Sequence, residues 1–448
     1  MISILANRTY AQLFSAQIVA LLGTGLLTVA LGLMSYDLAG DAAGLVLGTA
    51  LTIKMVAYVA LSPLANALFA RFNRKHVLIA ADLVRAAVAL MLPFVDAIWQ
   101  IYVLIFVLQT ASASFTPAFQ ATIPDILPDE DDYTRALSLS RLAYDLENII
   151  SPSLAGLLLT VMSYHWLFSG TASGFFASTL LIVITQFPKT APKKERSFRE
   201  RLTRGIRIYL ATPRLRGLLA LNFAASAAGA MVIVNTVVIV RSSLNGSESD
   251  VAMAFVAYGT GSMIAALMLP NLLKDRSDRR VMLLGAASAV TILMALGGFV
   301  VGGATLAWLP LLAVWLVMGL SYATILTPSG RLLKRSAHAE DRPALFAAQF
   351  ALSHACWLVT YPLAGWLGHS FGMGAAMLVL GGLSALALAT AFVVWPKTYE
   401  RELQHRHDDL APDHPHLKEH RGGMGAAGRS HRHAFVIDDE HRIWPTHG

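Results

Sequence analysis

Cysteine is almost missing: Cys356 is the single thiol among 448 residues. One thiol builds neither a disulfide framework nor a multi-thiolate zinc or iron–sulfur centre. Charge is scarce as well. Asp, Glu, Lys and Arg make up 14% of the chain, against about 25% in soluble domains, so most of its surface does not face water. No Walker lysine motif occurs, so no ATPase activity and no ATPase partner is implied by the chain itself. What is abundant is hydrocarbon: 55% of residues are hydrophobic and mean hydropathy is +0.56. The composition excludes a soluble enzyme and predicts a polytopic membrane protein surrounded by the lipid bilayer.

Windows of about 19 residues give twelve candidate spans. They lie at roughly 11–35, 44–66, 77–95, 98–120, 137–160, 166–187, 217–240, 250–272, 281–302, 305–326, 344–368 and 374–395. Each is continuous rather than alternating, which predicts helices and not barrel strands. The first starts too far in and runs too long for a secretory signal. Basic residues cluster after even-numbered spans, with ten between Lys189 and Arg216. By the positive-inside rule both termini are expected in the cytoplasm of a bacterial-type inner membrane. That placement, with contact to anionic lipid, accounts for the net charge of +7 without a nucleic-acid partner.

The two halves repeat at an offset of a little over 200 residues. Thr116-Pro117 corresponds to Thr327-Pro328, and Leu154-Ala155-Gly156 to Leu363-Ala364-Gly365. Arg71-Phe72-Asn73-Arg74-Lys75 corresponds to Arg276-Ser277-Asp278-Arg279-Arg280. Their shared order predicts parallel duplication, with a binding site between the copies. The expected organisation is a six-helix bundle over 1–187, a basic linker over 188–216, a second six-helix bundle over 217–398, and a tail over 399–448. The linker is expected to lie on the leaflet, with a helix from Ser197 to Leu210.

These residues resemble the major facilitator superfamily. That family carries Gly-x-x-x-Asp-Arg-x-Gly-Arg-Arg/Lys between helices 2 and 3, with a degenerate copy between helices 8 and 9. Arg71, Arg74 and Lys75 match the first copy, with Asn66, Ala70 and Asn73 in place of its Gly, Asp and Gly. Asp275, Arg276, Arg279 and Arg280 match the second. The resemblance implies that these loops gate one side through charge pairs, and that Asp82 or Asp275 supplies the acid missing at Ala70. Pro152 and Gly156 resemble the antiporter signature of the family's exporters, with Glu147, Ser151 and Ala155 where glycines are usual. An all-α fold follows, with twelve transmembrane helices in two pseudo-symmetric bundles. A secondary exporter working by alternating access is the function implied.

Charges inside the spans mark the candidate site, because an ionised side chain near the midplane costs about 2.5–3.5 kcal/mol on insertion scales. Lys54, Asp145, Glu147 and His354 sit at similar depth, and Asn148 adjoins them. In the family their helices line one cavity. Such groups suit proton exchange, and carboxylate with imidazole suits a borderline divalent cation. A static network is the alternative, with Arg141 pairing Asp145 and Lys54 neutralising Glu147. Gln17, Gln109, Asn222, Asn235, Tyr322, Trp357 and Tyr361 either line a pathway or join helices by hydrogen bonds.

Nine of the fourteen histidines fall beyond Lys397. His405 and His407, His414 and His416, and His431 and His433 each have His-x-His spacing. This composition is metal-binding in type and is similar to the histidine-tailed nickel-resistance branch of the superfamily. No resident cofactor is expected, though the tail would bind Ni, Co or Zn. The apolar islands Ala434-Phe435-Val436-Ile437 and Ile443-Trp444-Pro445 are expected to dock on the cytoplasmic face. The leading expectation is proton-coupled efflux of a divalent cation of nickel or cobalt type. An exporter of amphiphilic drugs or siderophore-like molecules is the alternative, and a non-transporting metal sensor is a third. A titration of residues 399–448 with nickel, cobalt and zinc is expected to show micromolar binding; silence with all three would reduce the tail to a solvated extension.

Overall fold

The computed structural model describes residues 2–61, 72–187, 198–338, 341–396, 403–406, 430–433, 436–437, 441 and 444. Hydrocarbon offers no water to backbone N–H and C=O groups, so apolar runs satisfy them internally as helices. α1 (Arg8–Ala39) starts at Asn7, whose side chain accepts from the Tyr10 amide at 3.1 Å and caps an otherwise unpaired first turn. The chain reverses at Gly40 into α2 (Ala43–Val56), which continues as a π turn over Ala57–Leu61. α3 (Arg74–Met91), α4 (Ile98–Ile126), α5 (Glu130–Leu159) and α6 (His165–Ile184) complete the first half.

The linker helix α7 (Phe198–Ala211) leads into α8 (Pro213–Val238), α9 (Glu248–Asp275), α10 (Asp278–Val301) and α11 (Trp308–Leu326). A short α12 (Ser329–Lys334), then α13 (Arg342–Phe371) and α14 (Met373–Val394), close the second half. In the tail, β1 (Leu403–Arg406) and β2 (Ser430–His433) pair antiparallel, with His405 opposite His431.

Ten stretches among the described residues are long and apolar enough to cross a membrane, and the first, of 53 residues, contains both α1 and α2. α5 is not among the ten: Asp145, Glu147 and Asn148 interrupt its middle. With α1 and α2 counted separately and α5 added, the helices follow the expected order of twelve.

The packing repeats between halves. α1 packs on α6 as α8 packs on α14, and α3 packs on α4 and α6 as α10 packs on α11 and α14. The halves meet where α2 runs along α13 and α5 along α9. The first seam is a close backbone approach. A methyl group on Gly48 would lie 2.8 Å from the Tyr361 carbonyl oxygen, and one on Gly365 would collide with the Gly44 carbonyl. Small residues allow this contact, since lipid gives helices no hydrophobic reason to associate.

Arg74, Lys75, Arg279 and Arg280 mark one end of the bundles as the basic side. On the opposite side the halves are joined: the Ser242 hydroxyl donates to Tyr36 Oη at 3.2 Å, and the Arg241 guanidinium lies 5.2 Å from the Tyr36 ring. Ser249 donates to the Leu159 carbonyl at 3.3 Å.

The linker helix is fastened to the second half by specific contacts. Tyr209 of α7 is fully buried and donates to Gln349 at 2.5 Å, and Arg204 pairs with Asp341 at 2.6 Å. α7 is thereby seated on α13. The tail joins the same apolar cluster: Ile437 is fully buried there, beside Leu215, Leu333 and Leu345, with Trp444 packed against it.

Replacing Gly365 with Val is expected to force α2 and α13 apart and cost roughly 1–3 kcal/mol, as overpacking does. Thermal unfolding of the purified chain would show a lowered midpoint. Gly382→Ala is the comparison, because nothing lies within 4 Å of a methyl group there, and it should leave the midpoint in place.

Candidate functional site

The π turn of α2 places Tyr58 one residue after its start, a kind of irregularity frequent at functional sites. Tyr58 gathers three of the charged spans. The Lys54 ammonium, one helical turn earlier, lies 5.8 Å from its ring centroid. The His354 imidazole, from α13 in the other half, meets the same ring edge-on at 5.2 Å. Glu147 of α5 is within electrostatic reach of both Lys54 and Tyr58. Gly25 of α1 makes room for this carboxylate: a methyl group there would overlap Ser151 and lie 3.6 Å from Glu147 Cγ.

The second half contributes ring faces. Trp357 and Tyr361 lie tilted against each other on α13 with ring centroids 4.7 Å apart, Tyr322 lies 6.3 Å from Trp357, and Tyr258 lies 5.9 Å from Tyr322. Tyr361 is within electrostatic reach of Glu147 of the first half. The Tyr258 hydroxyl is buried without a hydrogen-bond partner among the described residues. His354 Nδ1 is 2.7 Å from the Phe350 carbonyl, and its ring lies over Phe350 at 4.0 Å. The chemistry on offer is one carboxylate, one ammonium and one imidazole beside a row of aromatic faces.

Not every candidate joins this place. The side chains of Asp145, Asn148 and Arg141 lie outside the described residues, as do Arg71, His407, His414 and His416 and the side chains of His405, His431 and His433. Gln17 accepts from Ser140 at 3.2 Å and ties α1 to α5. Asn235 donates to the Ala364 carbonyl at 3.1 Å and ties α8 to α13. Both therefore join helices. Asn222 and Gln109 are buried at 4% and 3% exposure.

The gating acids differ from those expected. Asp82 does not pair with Arg74 or Lys75, because it lies about two turns along α3 and faces the bundle interior. There it is fully buried, pairs with Arg85, and accepts from Ser178 of α6 at 2.6 Å. Arg74 pairs with Asp125 of α4 instead. Lys75 donates to the carbonyls of Val183 and Thr185 at 2.7 and 2.9 Å. In the second copy the paired acid is Asp278, which pairs with Arg331 and, at 3.3 Å, with Arg335. Asp275 and Arg276 stand exposed.

Arg85 is the charged residue the sequence reading passed over. It is 5% exposed, with its guanidinium 4.3 Å from the Phe115 ring and 4.5 Å from the Phe175 ring. It also lies within electrostatic reach of Tyr58. The available signal was an acid and a base three apart in an apolar run, the spacing of facing neighbours on a helix. Asp82→Ala is expected to leave that cation unanswered and cost about 3–5 kcal/mol, whereas Asp82→Leu with Arg85→Met should recover most of the loss. Folded yield and unfolding midpoint of the three chains would check this.

Residues 13–237 and 218–422 each match the Major Facilitator Superfamily, so the match falls twice along the chain as the internal repeat does. Macrolide efflux protein A of Streptococcus pyogenes is 22% identical over 286 residues, covering 62% of this chain and 69% of the relative. The uncharacterized MFS-type transporter YvqJ of Bacillus subtilis (strain 168) is 22% identical over 414 residues, covering 88% and 94%. Among solved structures, the nucleoside transporter NupG (D323A mutant) superposes with a TM-score of 0.65 at 12% identity, over 87% of this chain and all of that one. The doubled match, the helix order and the shared architecture establish that the chain belongs to the Major Facilitator Superfamily and has the fold of a membrane transporter.

Proposed function

We propose that the protein is an exporter of amphiphilic organic solutes, working by alternating access. The observation that carries this is that Glu147 of one half, with Lys54 in electrostatic reach, is also in reach of Tyr361, one end of the aromatic row Tyr258, Tyr322, Trp357 and Tyr361 of the other. A carboxylate beside ring faces reads a positively charged group, and the rings take an apolar body. The relatives named as macrolide efflux proteins support an organic cargo and the outward direction.

Lys54 then acts as the resident counter-ion of Glu147, displaced when a cationic solute arrives. Proton coupling would run through the same carboxylate: protonated, it releases the solute, and ionised, it takes the next. With the basic side taken as cytoplasmic, the joined side is external, and its two hydrogen bonds between halves support a half-cycle in which the outer path is shut. Both termini are then cytoplasmic and the membrane is the inner one.

A divalent metal cargo is the second reading, favoured by the approach of Glu147 and His354 to the same Tyr58 ring. It needs further ligands, and no cluster of three or more His, Cys, Asp or Glu able to hold a metal occurs among the described residues. The organic reading needs none. A membrane sensor that moves no solute is the remaining alternative.

Cells producing the chain should retain less of a lipophilic cationic dye than control cells. Glu147→Gln should raise retention by about tenfold, the size expected for one lost charge interaction of roughly 1.4 kcal/mol. Dye retention unchanged by Glu147→Gln, with nickel or cobalt accumulation raised, would overturn the organic reading in favour of metal. Proteoliposomes that move neither would leave the sensor.

A further inference from the structure

Between α10 and α14, at their basic-side ends, lies a groove of about 790 Å³. It serves neither the central site nor the gating pairs. Its mouth is polar, formed by Ser277, Arg279 and Arg280, and its walls are apolar, formed by Leu284, Ala287, Ala385 and Phe392. Leu284 is 64% exposed and Phe392 52%, so the walls open sideways, toward acyl chains in a membrane. From Arg280 to Ala287 the groove follows seven residues of α10, about 10 Å of helix.

The arginines are prepared for an anion. Arg279 Nε donates to the Trp395 carbonyl at 2.7 Å and Nη2 to the Phe392 carbonyl at 3.0 Å, with the guanidinium 5.0 Å from the Phe392 ring. These contacts hold the group in place and leave Nη1 without a partner among the described residues. The Arg280 side chain is exposed and makes no hydrogen bond or ion pair among the described residues. The acid immediately before them in sequence does not neutralise them: Asp278 is 7% exposed and committed to Arg331 and Arg335. Asp275 is exposed at the end of α9 and does not line the groove. Ser277 Oγ accepts from the Arg280 amide at 3.3 Å, which leaves its hydrogen to donate.

We propose that this groove is a binding site for one anionic phospholipid. The phosphate sits between Arg279 and Arg280 and accepts from Ser277, and one acyl chain runs along Leu284, Ala287 and Ala385. Two fixed cations at headgroup level above an aliphatic wall match that ligand in both charge and depth. A soluble anion would use only the mouth. The lipid bridges α10 and α14, helices whose packing shapes the outer flank of the second half, and this holds whichever solute the central site takes.

The test uses the full chain in phosphatidylcholine nanodiscs, titrated with phosphatidylglycerol and followed by native mass spectrometry. One phosphatidylglycerol per chain should be retained, preferred over phosphatidylcholine by roughly tenfold or more. Arg279→Gln with Arg280→Gln should abolish the preference, and Lys334→Gln, on the same side but remote from the groove, should keep it. Ala385→Trp keeps both arginines and fills the wall, so it should lose the retained lipid too, and it decides the matter if the arginine variant does not fold. Equal weakening by Lys334→Gln, unchanged retention in Ala385→Trp, or full displacement by inorganic phosphate would overturn the proposal.

Discussion

Charge that enters hydrocarbon has to be answered by protein, because no water is there to answer it. That constraint organises both halves. Asp82 and Arg85 satisfy each other deep in the first half, with Ser178 and two phenylalanine rings completing the enclosure. Lys54 and Glu147, from different helices, influence each other through space, with no direct ion pair between them among the described residues. A pair enclosed on all sides is scaffold. On the proposed function, the looser association of Lys54 and Glu147 is the one a visiting solute meets.

The joint between the halves has a complementary logic. Where α2 meets α13, glycines bring the backbones so close that no side chain intervenes. Such a contact is sharply defined but makes few side-chain commitments, which suits a seam that opens and closes as a unit. The ion pairs on the basic side, Arg74 with Asp125 and Asp278 with Arg331, lie within one half each. They stiffen a bundle without tying it to its partner, as the proposed alternating access requires.

The architecture was legible because a hydrophobic run of membrane length has few alternatives, and because duplicated loops fix the order of the copies. Depth was legible too: Lys54, Glu147 and His354 could be aligned by counting along their spans. Direction around the helix axis was not. Asp82 belongs to the right helix and nearly the right end, yet it turns inward to Arg85, while Asp125, in a different helix, turns toward Arg74. Asp278 sits where the family's motif carries glycine, so matching by motif pointed to Asp275 instead. Tyr58 carried no signal at all, since its role depends on a π turn that no local pattern announces. Gln17 and Asn235 looked equally like pathway or fastening, and only their partners, Ser140 and the Ala364 carbonyl, separate the two.

Ile437 is fully enclosed with Leu215 at the start of α8, and Trp444 packs against the same cluster. These two side chains are therefore components of the second half rather than an appendage to it. Cutting them away would bare an oily scar on the basic side, where water rather than lipid meets the bundle. Whether the protein survives cellular surveillance then depends on a segment far from the solute path.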